Sequence, residues 1–131
     1  MALFEIVREV SLTPAESWQR LTDWEQHGRF VPLTRITRTH EGFVARTGVG
    51  PVAFDDPMDI VEWRDPSFCR LEKRGRRVLG WAELNVEPHG AGSRVTWRED
   101  IHVRGMPRAL DGLTRATSTR LFSSVIDGLL S

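Results

Sequence analysis

Apolar and polar residues alternate over the first ten residues of the chain. Phe4 and Ile6 fall on one face of residues 2–10, and Glu5 and Glu9 fall on the other. A repeat of two residues is typical of a strand with one buried face. The chain is therefore predicted to begin with a half-buried β-strand.

Two short helices are predicted to follow this strand. Thr13-Pro14-Ala15-Glu16 combines an N-cap threonine, a proline at the first helical position and a glutamate that completes a capping box. Asp23 can cap a second helix, which contains His27 and ends before Pro32.

After Pro32 the pattern changes to short alternating runs separated by turn signals. Glycine, proline and aspartate punctuate these runs, as expected for antiparallel strands joined by tight turns. The predicted strands cover residues 34–39, 43–47, 52–63, 68–73, 78–86 and 94–103.

The last part of the chain, from Pro107 to Leu130, is predicted to form one amphipathic helix. A helix of this size is about 36 Å long, close to the length of about 40 Å for an extended Gly92–Val103. The element order β-αα-ββββββ-α predicts an α+β fold and a single domain over residues 1–131. Its seven-stranded antiparallel sheet should curve around the terminal helix, with the two short helices between the first two strands.

The terminal helix carries two apolar stripes at helical spacing. The first stripe contains hydroxyl-bearing residues, which suits a cavity wall; it consists of Leu110, Leu113, Thr117, Leu121, Ser124, Val125 and Gly128. The second stripe is more apolar and consists of Phe122, Ile126, Leu129 and Leu130. It can pack on the N-terminal helices or serve as a surface for a partner, and both alternatives remain open.

Composition narrows the function classes. Lys and Arg together number 18, equal to Asp plus Glu, so no global positive field attracts nucleic acid. Lys73 is the only lysine in an arginine-rich chain. Cys69 is the only cysteine and is predicted to be a small buried apolar residue rather than a nucleophile. With no signal peptide or membrane span in the pattern, we expect a cytoplasmic protein.

Three aspartates form an Asp-Asp-x-x-Asp pattern at Asp55, Asp56 and Asp59. This pattern binds diphosphate and Mg²⁺ only when a helix places the first and last carboxylates on one face. Pro57 and the surrounding β-pattern disfavour that helix, so no metal is expected here. Instead, these carboxylates should pair with Arg residues of neighbouring strands, or one should point into a cavity.

Glu99 is the one charged residue on an otherwise apolar face of the last strand. Val95, Trp97 and Ile101 share this face, and Thr96, Arg98, Asp100 and His102 share the other. A carboxyl group in apolar surroundings has a raised pKa and can act as a general acid or base. The alternative is a structural ion pair between Glu99 and an arginine.

The four histidines show no metal-ligand spacing, and the chain has no Gly-x-Ser-x-Gly, P-loop or dinucleotide-binding motif. His27, at the end of the second helix, is the histidine expected to lie near a cavity mouth. No cofactor is expected.

Several local motifs resemble the START/Bet v 1-like (SRPBCC) superfamily, and within it the bacterial polyketide cyclase/dehydrase and lipid-transport branch. These motifs are the Pro-Ala-Glu-x-Trp helix start at Pro14, Leu21-Thr22-Asp23-Trp24, Gly80-Trp81-Ala82-Glu83, Gly92-Ser93-Arg94-Val95-Thr96-Trp97 and the closing helix. The resemblance spans nearly the whole chain and implies a helix-grip fold with an internal ligand cavity. Members include lipid carriers, hormone binders, cyclases and co-chaperone domains, so the fold alone does not fix the chemistry.

Three functions are compatible with these observations. The first is binding of an apolar or aromatic small molecule, polyketide-like or lipid-like, between sheet and helix. The second is a cyclase/dehydrase-type enzyme in which Glu99, aided by Asp56 or Arg46, moves protons. The third is a protein-interaction module with a filled core and no ligand, whose exposed terminal stripe binds another protein. A homodimer through the C-terminal helix is a separate expectation.

A cavity between helix and sheet would distinguish the first two functions from the third. Its ligand-binding wall is predicted to consist of Trp97, Ala82, Leu84, Met58, Phe54, Leu110, Leu113, Thr117, Leu121 and Ser124.

Overall fold

A computed structural model describes residues 2–131. The strands are β1 (Ala2–Val10), β2 (Thr34–Arg38), β3 (Gly42–Thr47), β4 (Phe54–Arg64), β5 (Phe68–Arg74), β6 (Val78–His89) and β7 (Gly92–Val103). The α-helices are α1 (Pro14–Leu21), α2 (Trp24–His27) and α3 (Asp111–Leu130), with 3-10 turns at Gly28–Phe30, Gly50–Val52 and Arg108–Leu110.

The seven strands form one antiparallel sheet in the order β1-β7-β6-β5-β4-β3-β2. Sequential strands pair through hairpins, and β1 closes against β7 because α1 and α2 carry the chain from one edge of the sheet to the other. Helix α3 packs on β1 and on the N-terminal helices. The predicted α+β architecture, a seven-stranded sheet with a long closing helix, is confirmed.

The predicted capping box at the start of α1 is present. The Thr13 hydroxyl accepts a hydrogen bond from the Glu16 amide, and the Glu16 carboxylate accepts one from the Thr13 amide. Asp23 lies at the N-cap position of α2, but its side chain makes no capping hydrogen bond. The turn after β6 is shorter than predicted, because antiparallel pairing of β6 with β7 continues to His89 and Gly92.

The alternation in β7 decides which side chains enter the core. Val95, Trp97, Glu99 and Ile101 are buried on the inner face, while the residues between them are half-buried on the outer face. Cys69 lies in the core as predicted, and burial raises the pKa of its thiol to about 12.

The second stripe of α3 is internal. Ile126, Leu129 and Leu130 are buried, and a side chain at Gly128 would collide with the ring of Phe30, so the helix end packs closely on the N-terminal helical segment. Of the two alternatives for this stripe, packing within the chain is therefore the one observed. No helix within residues 2–131 combines the length and apolar character needed to cross a membrane.

Candidate ligand-binding site

A cavity of about 250 Å³ lies between the concave face of the sheet and helix α3. Strands β2, β3, β4, β5 and β7 supply most of its wall, and α3 closes it with Ser118, Leu121, Phe122 and Val125. The lining is mainly aliphatic and aromatic. The ring of Trp97 lies between Phe122 and His27, at centroid distances of 5.9 and 6.0 Å.

Three charged side chains meet in the wall of this cavity. The Lys73 ammonium donates a hydrogen bond to Asp56 Oδ2 at 2.9 Å and lies 3.4 Å from Glu99 Oε2. The side chains of Lys73, Asp56 and Glu99 are only 2%, 14% and 1% exposed. We refer to these three residues as the buried charge cluster.

The sheet register explains how residues of separate strands reach one another. Lys73 on β5 and Glu99 on β7 are separated by β6, a distance of about 10 Å between strand axes. On β6 the inward positions between them are Gly80, which pairs with Lys73, and Ala82, which pairs with Glu99. Because these residues carry at most a methyl group, the Lys73 side chain can cross β6 and approach Glu99.

The hydrogen bonding of the buried charge cluster is incomplete. Trp97 Nε1 donates to Glu99 Oε1 at 2.9 Å. Within residues 2–131, the buried Asp56 Oδ1 accepts no hydrogen bond, and the buried Glu99 Oε2 faces the Lys73 ammonium at 3.4 Å without a hydrogen bond. Buried polar atoms are normally satisfied, and those that are not call for a structural or functional explanation.

Burial raises the pKa of the Glu99 carboxyl, against the opposing effects of the Lys73 charge and the Trp97 hydrogen bond. Burial by itself would lower the pKa of Lys73, but the charges of Glu99 and Asp56 outweigh it and raise this pKa above its ordinary value. The ammonium is thus held in its charged form, whereas burial favours the protonated form of Glu99.

His27 lines the same cavity. Its Nε2 lies 2.7 Å from the carbonyl oxygen of Leu21. Since a carbonyl only accepts, Nε2 carries the hydrogen in this arrangement. Burial lowers the pKa of the imidazole, which is therefore neutral near pH 7.

Many solved structures are similar to this chain, and three of them illustrate the likeness. A START superfamily protein from Mycobacterium smegmatis shares 9% identity over 99% of this chain and 97% of its own, with a TM-score of 0.78. Protein XoxI from Bacillus cereus shares 14% identity over 99% and 94%, with a TM-score of 0.74. Ara h 8.0201 shares 13% identity over 98% and 97%, with a TM-score of 0.68.

The chain has the helix-grip fold of the START/Bet v 1-like superfamily. No protein-family model matches the sequence, and no curated protein matches it. At these identities the START-like likeness concerns the fold, so chemistry must be argued from the site itself.

The cavity contains part of the predicted wall. Trp97, Met58, Phe54 and Leu121 line it, as does Glu99, and a role for them in ligand binding stays a prediction. Ala82 and Leu84 are buried in the core but lie outside the lining. Arg46, named as a helper of Glu99, forms an ion pair with Asp55 at 3.0 Å on the exposed outer face.

The predicted face of α3 requires a correction. Leu110, Leu113, Thr117 and Ser124 lie outside the cavity and are exposed, Leu113 by 64%. The inward face instead follows Ser118, Leu121, Phe122 and Val125, which lies between the two predicted stripes. Periodicity marked the helix, but it could not separate a wall facing a cavity from an apolar surface facing solvent.

The aspartates of the Asp-Asp-x-x-Asp pattern pair with basic residues of neighbouring strands. Asp55 pairs with Arg46 and Asp59 with Arg74, each at 3.0 Å, whereas Asp56 faces inward and pairs with Lys73. Within residues 2–131, no three His, Cys, Asp or Glu side chains are grouped so that they could hold a metal ion.

Lys73 is the functional candidate that the sequence analysis missed. A signal was present: it is the only lysine, and it falls on the same strand face as Cys69 and Leu71, both of which are buried. A charged residue at an inward position of a strand is a candidate for a paired buried group.

Proposed function

We propose that this protein binds a small, mainly apolar molecule in the cavity between the sheet and α3. The observation that carries the proposal is an apolar cavity whose wall contains a buried, incompletely hydrogen-bonded charge cluster. Apolar pockets with a few convergent polar groups are the usual form of small-molecule sites. The cavity also argues against a filled core and hence against the interaction module.

The ligand class follows from the lining and from the resemblance. The hydrocarbon or aromatic part contacts Trp97, Phe122 and Leu121, and one polar group lies at the buried charge cluster. At about 250 Å³ the cavity is just below the range of roughly 300–1,000 Å³ typical of drug-sized ligands. A compact polyketide-like or lipid-like compound, encountered in the cytoplasm, is the form of ligand we propose.

Binding can be measured with N-phenyl-1-naphthylamine, an uncharged probe whose fluorescence rises in apolar surroundings. Ser118→Leu places a larger side chain into the cavity from α3 and should reduce probe binding about tenfold or more. Ser124→Leu is the matched control, since it makes the same change on the exposed face of the same helix. Absence of probe binding to the wild type, or equal binding by both variants, would contradict the proposal.

A second candidate function is acid–base catalysis, because Glu99 is a buried carboxyl with a raised pKa that lines the cavity. In a cyclase/dehydrase-type reaction, protonated Glu99 would donate to a ketone oxygen, and Lys73 would stabilise negative charge that develops beside it. Glu99→Gln should then abolish turnover of a poly-β-ketone substrate mimic and leave binding of the uncharged probe unchanged. Loss of both together would indicate a structural role for Glu99.

The homodimer through the C-terminal helix is a further proposal. Leu110 and Leu113 are exposed near the start of α3 and would form its apolar contact. Light scattering should then show a dimer that Leu113→Asp converts to a monomer, whereas a monomeric wild type would exclude it.

A further inference from the structure

The charge count of the cavity is unequal. Two carboxylates, Asp56 and Glu99, face one ammonium, Lys73. The other titratable residue of the lining is His27, which is neutral near pH 7; α3 contributes no charged side chain to the lining. With both carboxyls ionised, the cavity therefore carries one negative charge in excess.

The two carboxylates also have spare hydrogen-bond capacity. Asp56 uses Oδ2 for Lys73, and Glu99 uses Oε1 for the Trp97 indole. Asp56 Oδ1 accepts no hydrogen bond within residues 2–131, and Glu99 Oε2 has only the Lys73 ammonium beside it at 3.4 Å, without a hydrogen bond. Both atoms are acceptors with spare capacity, so a ligand that satisfies them has to supply donors.

The same geometry disfavours an anionic ligand. Among the cavity residues that the structure describes, Lys73 is the only cation, and it already faces two carboxylates at 2.9 and 3.4 Å. A fatty acid carboxylate would therefore bring a third negative charge beside one ammonium. An alcohol avoids this repulsion but offers a single donor and no positive charge.

We propose, building on the proposed function, that the cavity selects an apolar amine whose protonated nitrogen joins Lys73 at the carboxylates of Asp56 and Glu99, so that two cations face two anions. The ammonium supplies the missing positive charge and enough donors for both unsatisfied oxygens. The hydrocarbon part lies against Trp97, Phe122 and Leu121. Asp56 and Glu99 are the specificity-determining residues, and Lys73 holds them in place.

Binding of such a ligand is linked to protons. Burial raises the pKa of Glu99 and so favours its protonated form in the ligand-free protein. The amine requires the carboxylate, so its binding releases a proton and its affinity falls as the pH is lowered. Alkylamines remain charged well above neutral pH, so any change between pH 5 and 8 reports groups of the protein. Glu99→Gln should remove most of this change, because Lys73 stays charged over the range.

The test compares octylamine, octan-1-ol and octanoate, which differ only in the polar group, by competition with N-phenyl-1-naphthylamine at pH 7. Octylamine should bind about tenfold or more tightly than octan-1-ol, as expected for a charge-assisted hydrogen bond, and octanoate should bind most weakly. Asp56→Asn should remove this preference, and an unchanged circular dichroism spectrum would show that the variant folds. Asp55→Asn, on the outer face of the same strand, is the matched control and should keep the preference.

The outcomes separate the two proposals. Binding of octan-1-ol with affinity equal to octylamine, or tightest binding of octanoate, would overturn the amine inference and leave the apolar cavity intact. A preference that survives Asp56→Asn and Glu99→Gln together would also overturn it, because the amine would then bind elsewhere. Failure of the probe and of all three compounds to bind would overturn the proposed function itself.

Discussion

The two faces of the sheet carry similar charged side chains in very different surroundings. On the outer face, Arg98 lies between Glu5 and Glu83 at 3.4 and 4.0 Å, and water reaches all three. On the inner face, Lys73 lies between Asp56 and Glu99 at comparable distances, almost without water. Exposed ion pairs are screened and contribute little, whereas buried charges that are not fully paired are costly. The inner cluster is therefore expected to contribute little net stability, which makes it a good candidate for a binding site.

The largest loss of stability is expected from removal of the inner-face tryptophan, compared with the same change on the outer face. Trp97 is buried and bonded to Glu99, whereas Trp81 is half-buried on the outer face between Arg70 and Arg98. Trp97→Ala should lower the free energy of unfolding by roughly 3–5 kcal/mol, and Trp81→Ala by clearly less. Chemical denaturation of both variants measures this difference, and equal losses would mean that the inner face is not the main core.

Removal of the central cation should be the next largest effect. Lys73→Met leaves two buried carboxylates without a cationic partner and should cost about 3 kcal/mol of stability at pH 7. The loss should shrink as the pH falls, because the carboxyls can then take up protons. Denaturation midpoints at pH 5 and pH 7 provide the measurement; a loss that is independent of pH would indicate that packing, rather than charge, accounts for it.

The pH dependence of Glu99 sharpens the contrast further. Its pKa is raised in the folded state above the ordinary value of 4.5, so the folded state holds the proton more tightly than the unfolded state. The contribution to stability is therefore present below pH 4.5 and is lost as the pH rises through the folded pKa. As the pH rises through this window, the free energy of unfolding of the wild type should fall by up to about 1.4 kcal/mol per pH unit relative to that of Glu99→Gln. Parallel stability curves for the two proteins would show that Glu99 keeps an ordinary pKa.

The smallest effect is expected on the outer face. Arg98→Met removes the same kind of charge as Lys73→Met and inserts the same side chain, but water replaces the lost partner. The free energy of unfolding should change by less than about 1 kcal/mol, and less still at high salt. A cost equal to that of Lys73→Met would remove the distinction between the two faces.

Glu99 and Lys73 show how far the site could be predicted. Alternation in β7 placed Glu99 among inward apolar residues, and burial of its side chain confirms that placement. Its partner was expected to be an arginine, but it is the lysine of β5, two strands away. Strand parity is a local property, whereas the identity of a partner depends on register and on the small residues Gly80 and Ala82 of the intervening strand.

Helix α3 shows what could not be predicted from the sequence. Its existence and its place after the last strand followed from helical spacing, yet the predicted cavity face was displaced toward residues that are exposed, such as Leu113 and Ser124. Both sides of this helix carry enough apolar and small residues to be buried. Contacts with β1 and the N-terminal helices fix the rotation of α3 about its own axis, and as a result Ile126 and Leu129 are buried.

The sequence by itself determined the order of the elements, the antiparallel sheet and the inward direction of Glu99, because capping, turn chemistry and alternation act over a few neighbouring residues. Only the tertiary structure decided that Asp56, Lys73 and Glu99 meet, and that two of their oxygens remain unsatisfied beside an apolar cavity. These residues are far apart along the chain, and their encounter depends on strand register, sheet curvature and the rotation of α3. Those quantities are set by packing of the whole domain and not by any local pattern.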